Sequence, residues 1–293
     1  MIYSDKMKKI TLLLTAAALA ATLLSCNKED SSAVSDGAGK EIVLMMDESF
    51  DASVDTKTTA ITSAPSSLYW GASTGSAGSE TVKWASASAT VSSNKISTGK
   101  VQTSPATTYN YYVSNLQPTI AAAQTTITVP DNGTDYLAAR VASNSATPSI
   151  ALNHIFARTG TLTLNKPSGH DGYSLTVNWW KIVGKSTING TAGTYNMTTD
   201  AWTAASTKLS SATAITSSSD LYLIPGDYTI SVNYTYGVGD YTQTVTKSAD
   251  VTLQKGKVNN ITGTAVFVDA SSIVLTVSVT EWGTNNITID SLS

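Results

Sequence analysis

The sequence predicts an all-β protein built as two stacked β-sandwiches. From Lys40 onward the chain of 293 residues runs in short segments of alternating apolar and polar residues, separated by Gly, Pro and Ser clusters. No segment sustains a 3.6-residue apolar period over three turns, which argues against amphipathic helices. Each half supplies six or seven such segments, the number that a sandwich needs. A solenoid is disfavoured because the sequence has no repeat of fixed period.

The clearest strands lie in the second half. The stretch "SSIVLTVSVTEW" alternates strictly and places four apolar residues on one face: Ile273, Leu275, Val277 and Val279. The stretch "DYTISVNYTYGVGDYTQTVT" predicts a β-hairpin that turns between Gly237 and Asp240. Its first strand has four residues on the core face: Tyr228, Ile230, Val232 and Tyr234.

A third segment, "YSLTVNWWKIVG", contains two adjacent tryptophans. Simple alternation places Leu175, Val177 and Trp179 opposite Thr176, Asn178 and Trp180. One tryptophan of the pair is therefore a candidate exposed aromatic that stacks on a sugar or binds a partner, and the alternative is a place under a loop or at a domain interface.

The first half is less regular. Six segments have strand character: "EIVLMMD", "SSLYW", "ETVKWASASATV", "TTYNYYVSN", "TTITVP" and "DYLAARVAS". The chain then crosses between halves near "HIFARTGTLTL", so we predict domains at residues 41–156 and 157–293.

The composition narrows the classes of function. With 18 basic and 21 acidic side chains the formal charge is only -3, which leaves no basic surface for nucleic acid. Charged residues make up 13% of the chain, about half the usual share, as in many secreted β-proteins with hydroxyl-rich surfaces. A single cysteine excludes an internal disulfide, so stability must come from the cores.

The N-terminal stretch is typical of an export signal. Lys8 and Lys9 precede an apolar segment, residues 10–24, that is shorter than the roughly 20 residues of a membrane-spanning helix. The following Leu23-Leu24-Ser25-Cys26 resembles a bacterial lipobox. The resemblance implies that residues 1–25 are cleaved off and that Cys26 receives a diacylglycerol and an acyl chain such as palmitate, which anchor it in the outer membrane. The alternative is a free thiol at the end of an ordinary signal peptide.

Residues 26–40 are predicted to form a tether. Lys28, Glu29 and Asp30 directly after the cysteine resemble the acidic tag that sends some lipoproteins of Gram-negative bacteria to the outer leaflet. A solvated linker is the alternative interpretation. "SSAVSDGAGK" shows no periodicity, as expected of a linker.

Several segments together resemble the fimbrillins, lipoprotein precursors of bacterial surface fimbriae. They are "DYLAARVASNSATPSIALNHIFARTGTLTL", "LYLIPGDYTISVNYTYG", "VTLQKGKVNNITG" and "IVLTVSVTEWGTNN". The resemblance implies two tandem transthyretin-like β-sandwich domains and a fimbrial subunit or fimbria-associated adhesin. Its partners would be other fimbrial subunits, with a host or bacterial surface glycan or protein as a further candidate.

In that family a surface protease removes the first strand, and a donor strand from a neighbouring subunit fills the groove. Carried over, the displaced strand is "EIVLMMD", with Ile42, Leu44 and Met46 as its inward side chains. The cut must fall in the loop that follows this strand. The candidate cleavage site is Lys57, since the two arginines lie far beyond that loop. An anchor or terminal subunit that escapes processing is the alternative.

The C-terminal "NNITIDSLS" supplies donor-strand candidates, Ile287 and Ile289. The same alternation also fits a strand that completes the second sandwich, and the sequence favours neither.

Motifs for catalysis and metal binding are weak. "GASTG" matches a nucleophile elbow around Ser73, but a strand follows where the elbow needs a helix. His154 is predicted to have a structural hydrogen bond and His170 to be a solvated loop residue, and "DNGTD" at 131–135 predicts a turn rather than a calcium site. We therefore expect no enzyme activity, no metal and no cofactor. A glycan-binding surface lipoprotein that does not polymerise is the alternative function, suggested by six tryptophans.

Overall fold

A computed structural model describes residues 39–47, 65–217, 221–267, 274–281 and 286–288. In these ranges the chain forms strands and turns and no α-helix, which confirms the all-β prediction. No helix capable of crossing a membrane occurs among the described residues.

The described strands are short and follow one another closely. In chain order they are β1 Lys40–Met46, β2 Ser67–Thr74, β3 Thr81–Thr90, β4 Lys95–Gln102, β5 Tyr109–Ser114, β6 Thr119–Ile120, β7 Thr125–Val129, β8 Leu137–Ser143, β9 Ser149–Ile150, β10 Asn153–His154, β11 Ala157–Asn165, β12 Ser174–Gly184, β13 Gly190–Asn196, β14 Ala201–Lys208, β15 Thr213–Ile215, β16 Tyr222–Leu223, β17 Gly226–Val238, β18 Tyr241–Leu253, β19 Lys257–Thr264, β20 Val274–Glu281 and β21 Asn286–Thr288.

The strands pair into five sheets. Two contain only strands before residue 156, in the orders β4-β1-β9 and β10-β8-β5-β2-β3. Two contain only later strands, in the orders β16-β11-β19-β20-β21 and β15-β12-β17-β18. The fifth, β14-β13-β7-β6, joins strands from both sides of residue 156.

Three hydrophobic cores follow from this pairing. One lies among the early strands, with β1, β2 and β5 as its main contributors. One lies among the late strands and includes Tyr228, Ile230, Val232 and Tyr234. The third combines early and late residues, such as Tyr112 and Tyr195. Lys40–Ser293 forms one compact unit, and its division into domains at residue 156 stays a prediction.

Strand β5 separates two of these cores. All six of its side chains are buried, and they alternate in direction as a strand requires. Tyr109, Tyr111 and Val113 enter the early core, whereas Tyr112 enters the core shared with the second half. The strand is buried on both faces because its sheet lies between two cores.

The predicted hairpin is present as β17 and β18. The two strands pair without a register shift from Gly226 opposite Leu253 to Val238 opposite Tyr241. The four predicted core residues of β17 are all fully buried. The alternation of apolar and polar residues was sufficient to predict the core face of this hairpin, because one face packs on the core and the other faces solvent.

The tryptophan pair differs in burial, but the predicted grouping of Trp179 with Leu175 and Val177 was wrong because of a β-bulge. The pairing of β12 with β17 shifts by one residue between Val177 and Trp179. An extra residue in one strand reverses the phase of alternation beyond it. Trp180 is therefore the buried member, at 6% exposure, and Trp179 lies half-buried beneath Lys181, whose Nζ is 4.5 Å from the ring centroid.

All six early segments predicted to be strands are strands: β1, β2, β3, β5, β7 and β8. The sequence interpretation missed β4, β13 and β14 among the longer ones. Strand β4 has the sequence "KISTGKVQ", in which only Ile96 is both apolar and buried. Its other buried side chains, Thr98 and Gln102, are polar and give no hydrophobic period.

Candidate interaction site around the first strand

The first strand lies in the middle of its sheet. β1 pairs with β4 in antiparallel fashion along one edge and with β9 in parallel fashion along the other. No other described strand bridges β4 and β9. Removal of β1 would therefore open a slot with an unpaired strand edge on each side.

Backbone hydrogen bonds hold β1 on both edges. The N–H groups of Val43, Met45 and Asp47 donate to the carbonyls of Ala146, Pro148 and Ile150, each at 2.9 Å. On the opposite edge the register runs from Lys40 opposite Gln102 to Met45 opposite Lys95, with one bulge. The Thr98 hydroxyl adds a 2.6 Å bond to the carbonyl oxygen of Ile42.

The inward side chains of β1 are Ile42, Leu44 and Met46, with exposures of 0%, 0% and 6%. They pack in the early core with Leu68, Trp70 and Ile96, among others. Burying such a side chain stabilises a fold by about 1.5–3 kcal/mol. The three together therefore contribute on the order of 5–9 kcal/mol, which is comparable to the total stability of a typical domain.

The other candidates for processing and assembly are only partly described. Cys26, Lys57 and Ile289 lie outside the described residues. Ile287 lies in β21, which pairs with β20 and ends its sheet, with Val279 as the register partner of Ile287. In this structure the C-terminal strand thus completes a sheet of its own chain, and its role as a donor stays a prediction.

The two arginines are both engaged in the fold. Arg158 is fully buried at the start of β11. Arg140 on β8 donates to Asn110 Oδ1 at 2.8 Å and lies 3.4 Å from the Glu80 carboxylate. Neither offers a protease the exposed loop that cleavage needs.

Arg140 belongs to a buried polar network between the early core and the shared core. Its centre is the Tyr112 hydroxyl, which donates to the two carboxylate oxygens of Glu80 at 2.6 and 2.5 Å and lies 3.2 Å from the Thr198 hydroxyl. Glu80 is only 2% exposed, so these partners take the place of water around its carboxylate. Because Thr198 comes from the second half of the chain, the network joins the two halves.

A cavity of about 250 Å³ lies beside this network, with Arg140 and Asp200 among the residues that line it. Asp200 is bonded to the Tyr195 hydroxyl and to Lys255. Burial works to raise the pKa of Asp200, but the hydrogen bonds from Lys255 and Tyr195 outweigh it and lower that pKa. Every charged group named here has a partner within the chain, so the cavity has no unpaired charge to recruit a ligand.

The histidines differ in their contacts. His154 lies 2.6 Å, by its Nδ1, from Oδ2 of the fully buried Asp135, which confirms the predicted structural hydrogen bond. The same contact places the last residue of "DNGTD" in the interior rather than in a cation loop. His170, predicted to be solvated, is half-buried and packs edge-on against Tyr173 and Phe267.

Ser73 is not a nucleophile elbow. It lies within β2, paired with both β3 and β5, and is fully buried. An elbow serine must be exposed on a turn between a strand and a helix. The described part of the chain also contains no cluster of His, Cys, Asp or Glu that could hold a metal ion.

The five tryptophans in the described ranges do not form an open binding face, and Trp282 lies outside those ranges. Trp70 and Trp180 are buried, and Trp84, Trp179 and Trp202 are half-buried. Trp202 donates from Nε1 to the carbonyl of Ile155 at 3.1 Å and packs on Phe156. The exposed aromatic of the described chain is instead Tyr241, at 88% exposure, which the sequence interpretation missed because it followed tryptophans and ignored turn positions.

Comparisons with known proteins identify solved structures with a similar fold. No family model matches the chain, and no curated protein gives a significant match. Among solved structures, a fimbrial protein from Bacteroides vulgatus ATCC 8482 superposes with a TM-score of 0.55 at 16% identity, over 83% of this chain and 99% of that one.

A protein provisionally assigned to cell adhesion, from Parabacteroides distasonis ATCC 8503, superposes with a TM-score of 0.52 at 10% identity, over 84% of this chain and 98% of that one. These similarities extend over nearly the whole of both solved chains. The protein therefore shares its fold with a fimbrial protein and a protein linked to adhesion, in agreement with the fimbrillin resemblance of its sequence.

Proposed function

We propose that this protein is a structural subunit or adhesin of bacterial surface fimbriae, exported as a lipoprotein through Cys26 and assembled by donor-strand exchange. The observation that carries the proposal is the position of β1, the central strand of a three-stranded sheet whose inward side chains fill the early core. The fold shared with a fimbrial protein supports the same function.

The physical basis is β-augmentation. Once β1 is gone, β4 and β9 each present an unpaired edge, and the space of Ile42, Leu44 and Met46 becomes a row of apolar pockets. A strand with alternating apolar residues restores both the hydrogen bonds and the core. The segment around Ile287 and Ile289 has that alternation. Pairing of this kind is head-to-tail and does not close on itself, so it produces a filament.

Cleavage after Lys57 would separate β1 and its lipid anchor from the rest of the chain. Lys57 lies between β1 and β2 in sequence, as a cut that frees β1 requires. The N-terminal residue of the protein on intact cells tests this step directly. Cys26 as the first residue indicates an anchored, unprocessed subunit, whereas a start just after Lys57 indicates processing.

An intersubunit disulfide tests the strand exchange. Leu44 and Ile96 are register partners, so a donor isoleucine in the place of Leu44 would lie beside Ile96. Neighbouring antiparallel residues have Cα atoms about 4.5–5.5 Å apart, which suits a disulfide. The double variant Ile96→Cys with Ile287→Cys, or with Ile289→Cys, should therefore give covalent ladders from surface polymers under oxidising conditions.

The matched control uses the other face of β4. Val101 is 45% exposed, and the double variant Val101→Cys with Ile287→Cys should give no ladder. If both donor positions fail to crosslink to Ile96→Cys while polymers still form, the C-terminal segment is not the donor strand.

A second candidate function is glycan binding at the cell surface without polymerisation. One observation favours it: an open aromatic surface at the tip of the β17–β18 hairpin, where Tyr241 is 88% exposed.

A further inference from the structure

The hairpin β17–β18 ends beside a groove that no part of the proposed assembly uses. The strands are joined by Gly239 and Asp240, and Gly239 has a φ of 57°, the left-handed conformation that glycine adopts without strain. Next to this turn lies a groove of about 480 Å³. We call it the hairpin-tip groove and define it by six residues: Tyr173, Tyr236, Val238, Asp240, Tyr241 and Gln243.

The floor of the hairpin-tip groove is a stack of aromatic rings. Tyr236 and Phe267 are nearly parallel, with an interplanar angle of 7° and centroids 4.6 Å apart. Tyr173 also stacks on Phe267 at 5.2 Å and 23°, and His170 packs edge-on against Phe267 at 5.4 Å. The Tyr236 hydroxyl donates to Gln243 Oε1 at 2.8 Å, which fixes the ring. The floor is therefore rigid before any ligand arrives.

The rim combines exposed apolar surface with polar groups. Tyr241 is 88% and Val238 is 46% exposed, although a two-residue turn requires neither side chain. Tyrosine exposed in this way is typical of binding surfaces, since the ring gives contact area and the hydroxyl gives a hydrogen bond. Asp240 adds a carboxylate acceptor and Gln243 an amide.

We propose that the hairpin-tip groove binds a hexopyranose, as a free sugar or as the end of a surface glycan. A pyranose ring has one face of C–H groups and a rim of hydroxyls. The exposed ring of Tyr241 and the half-buried ring of Tyr173 suit the apolar face, and Asp240, Gln243 and the Tyr241 hydroxyl suit the rim. The volume lies within the range of about 300–1,000 Å³ that is common for small-molecule sites. A neutral ligand also fits a groove with a single carboxylate among its six defining residues.

The proposed sugar site rests on the proposed function in its adhesin form. It adds to that function the class of ligand that the adhesin would bind. The groove contains no residue of β1, β4 or β21. Sugar binding by the soluble chain is thus independent of strand exchange, so either proposal can fail while the other stands.

The test is ligand-observed NMR on the purified full-length chain. The probes are the methyl glycosides of glucose, galactose, mannose, fucose and N-acetylglucosamine at millimolar concentration, so that binding with a Kd as weak as about 1 mM is detected. We expect saturation transfer to the C–H protons of one ring face for at least one glycoside. Tyr241→Ala should reduce the signal at least tenfold, and Gln243→Ala should reduce it to a smaller extent.

The matched control is Ile188→Ala, another exposed apolar residue that is not part of the groove. Ile188→Ala should leave the signal unchanged, and thermal melts should show that all three variants fold. The proposal is overturned if none of the five glycosides gives a signal, or if the signal survives both Tyr241→Ala and Gln243→Ala. It is also overturned if Tyr241→Ala leaves sugar binding intact and instead lowers association between copies of the chain, because the groove would then be a protein-docking surface.

Discussion

Leu44 on β1 lies directly opposite Ile96 on β4, and both side chains are fully buried. One partner belongs to the strand that we propose is removed, and the other to the wall of the slot that remains. The contribution of Leu44 to stability should therefore depend on whether the chain has been processed.

Leu44→Ala should destabilise the unprocessed chain by about 2–5 kcal/mol, because it leaves a cavity in the early core. In a polymer whose subunits have lost β1, the same variant should have no effect on stability. Urea unfolding of the intact chain, and of polymers recovered from cells, measures the difference.

The control for Leu44 is Val101→Ala on the exposed face of β4, which should change stability by no more than about 0.5 kcal/mol. Equal losses for Leu44→Ala in the intact chain and in the polymer would show that β1 is retained in the assembled subunit.

Two neighbouring tyrosines on β5 should respond in opposite ways to loss of the hydroxyl. Tyr112 donates to the buried Glu80 carboxylate, so Tyr112→Phe leaves a charge with fewer partners and should cost about 1.5–3 kcal/mol. The Tyr111 hydroxyl is buried, and no hydrogen-bond partner for it is found among the described residues. Tyr111→Phe should therefore be neutral or stabilising. Paired denaturant curves test this, and similar losses for both variants would contradict it.

The hydrophobic pattern correctly predicted those strands that have one buried face and one solvent-exposed face. It located β17, β18 and the buried residues of β1 because period-2 alternation survives there without interruption. It failed at β12, where the bulge after Val177 reverses the faces, and at β4, whose buried side chains are mostly polar. Neither a bulge nor a buried threonine can be recognised from the order of apolar and polar residues.

The candidate sites likewise divide into those that a local sequence pattern predicts and those that arise only when distant residues pack together. Ile42, Leu44 and Met46 were accessible to sequence reasoning because they form an alternating apolar run. The hairpin-tip groove was not, since Tyr173, Tyr236 and Phe267 are far apart in sequence and meet only through packing. The contact of Glu80 with Tyr112 and Arg140 likewise depends on the pairing of distant strands.

Lys247 should protect the long edge strand β18 from pairing with another chain. Among the described strands β18 pairs only with β17, so its second edge faces away from the sheet. Val245 and Ala249 pack on the late core, and Lys247 lies between them on the same face. An inward-pointing lysine on an edge strand is costly to bury in a strand-to-strand contact and so discourages edge pairing.

Lys247→Val should therefore promote concentration-dependent association, visible by sedimentation velocity. Thr246→Val alters the solvent face of the same strand and serves as the control. If both variants associate to the same extent, added hydrophobicity rather than loss of the inward charge is the cause.

The buried tyrosines should make the fold sensitive to alkali. Burial raises the pKa of Tyr111 to about 12 and also raises the pKa values of Tyr195, Tyr228 and Tyr234. In the unfolded chain these hydroxyls ionise near pH 10. Above that pH the unfolded chain has lost protons that the folded chain retains, so stability is full below about pH 10 and falls as the pH rises.

A tyrosine that stays protonated in the folded chain costs about 1.4 kcal/mol of stability for each pH unit above this point. Tyr228, whose hydroxyl donates to the carbonyl of Ile224 at 2.6 Å, offers the clearest test. Tyr228→Phe should reduce the loss of stability between pH 10 and pH 11.5 by about 1.4 kcal/mol per pH unit. Urea unfolding at a series of pH values measures this slope. Val238→Ala changes a 46% exposed side chain that has no ionisable group and should leave the slope unchanged. The slope separates this effect from the loss of the Ile224 hydrogen bond, because that bond shifts the curve at every pH at which the tyrosine is protonated. An unchanged slope in Tyr228→Phe would mean that the Tyr228 hydroxyl ionises as readily in the folded chain as in the unfolded one.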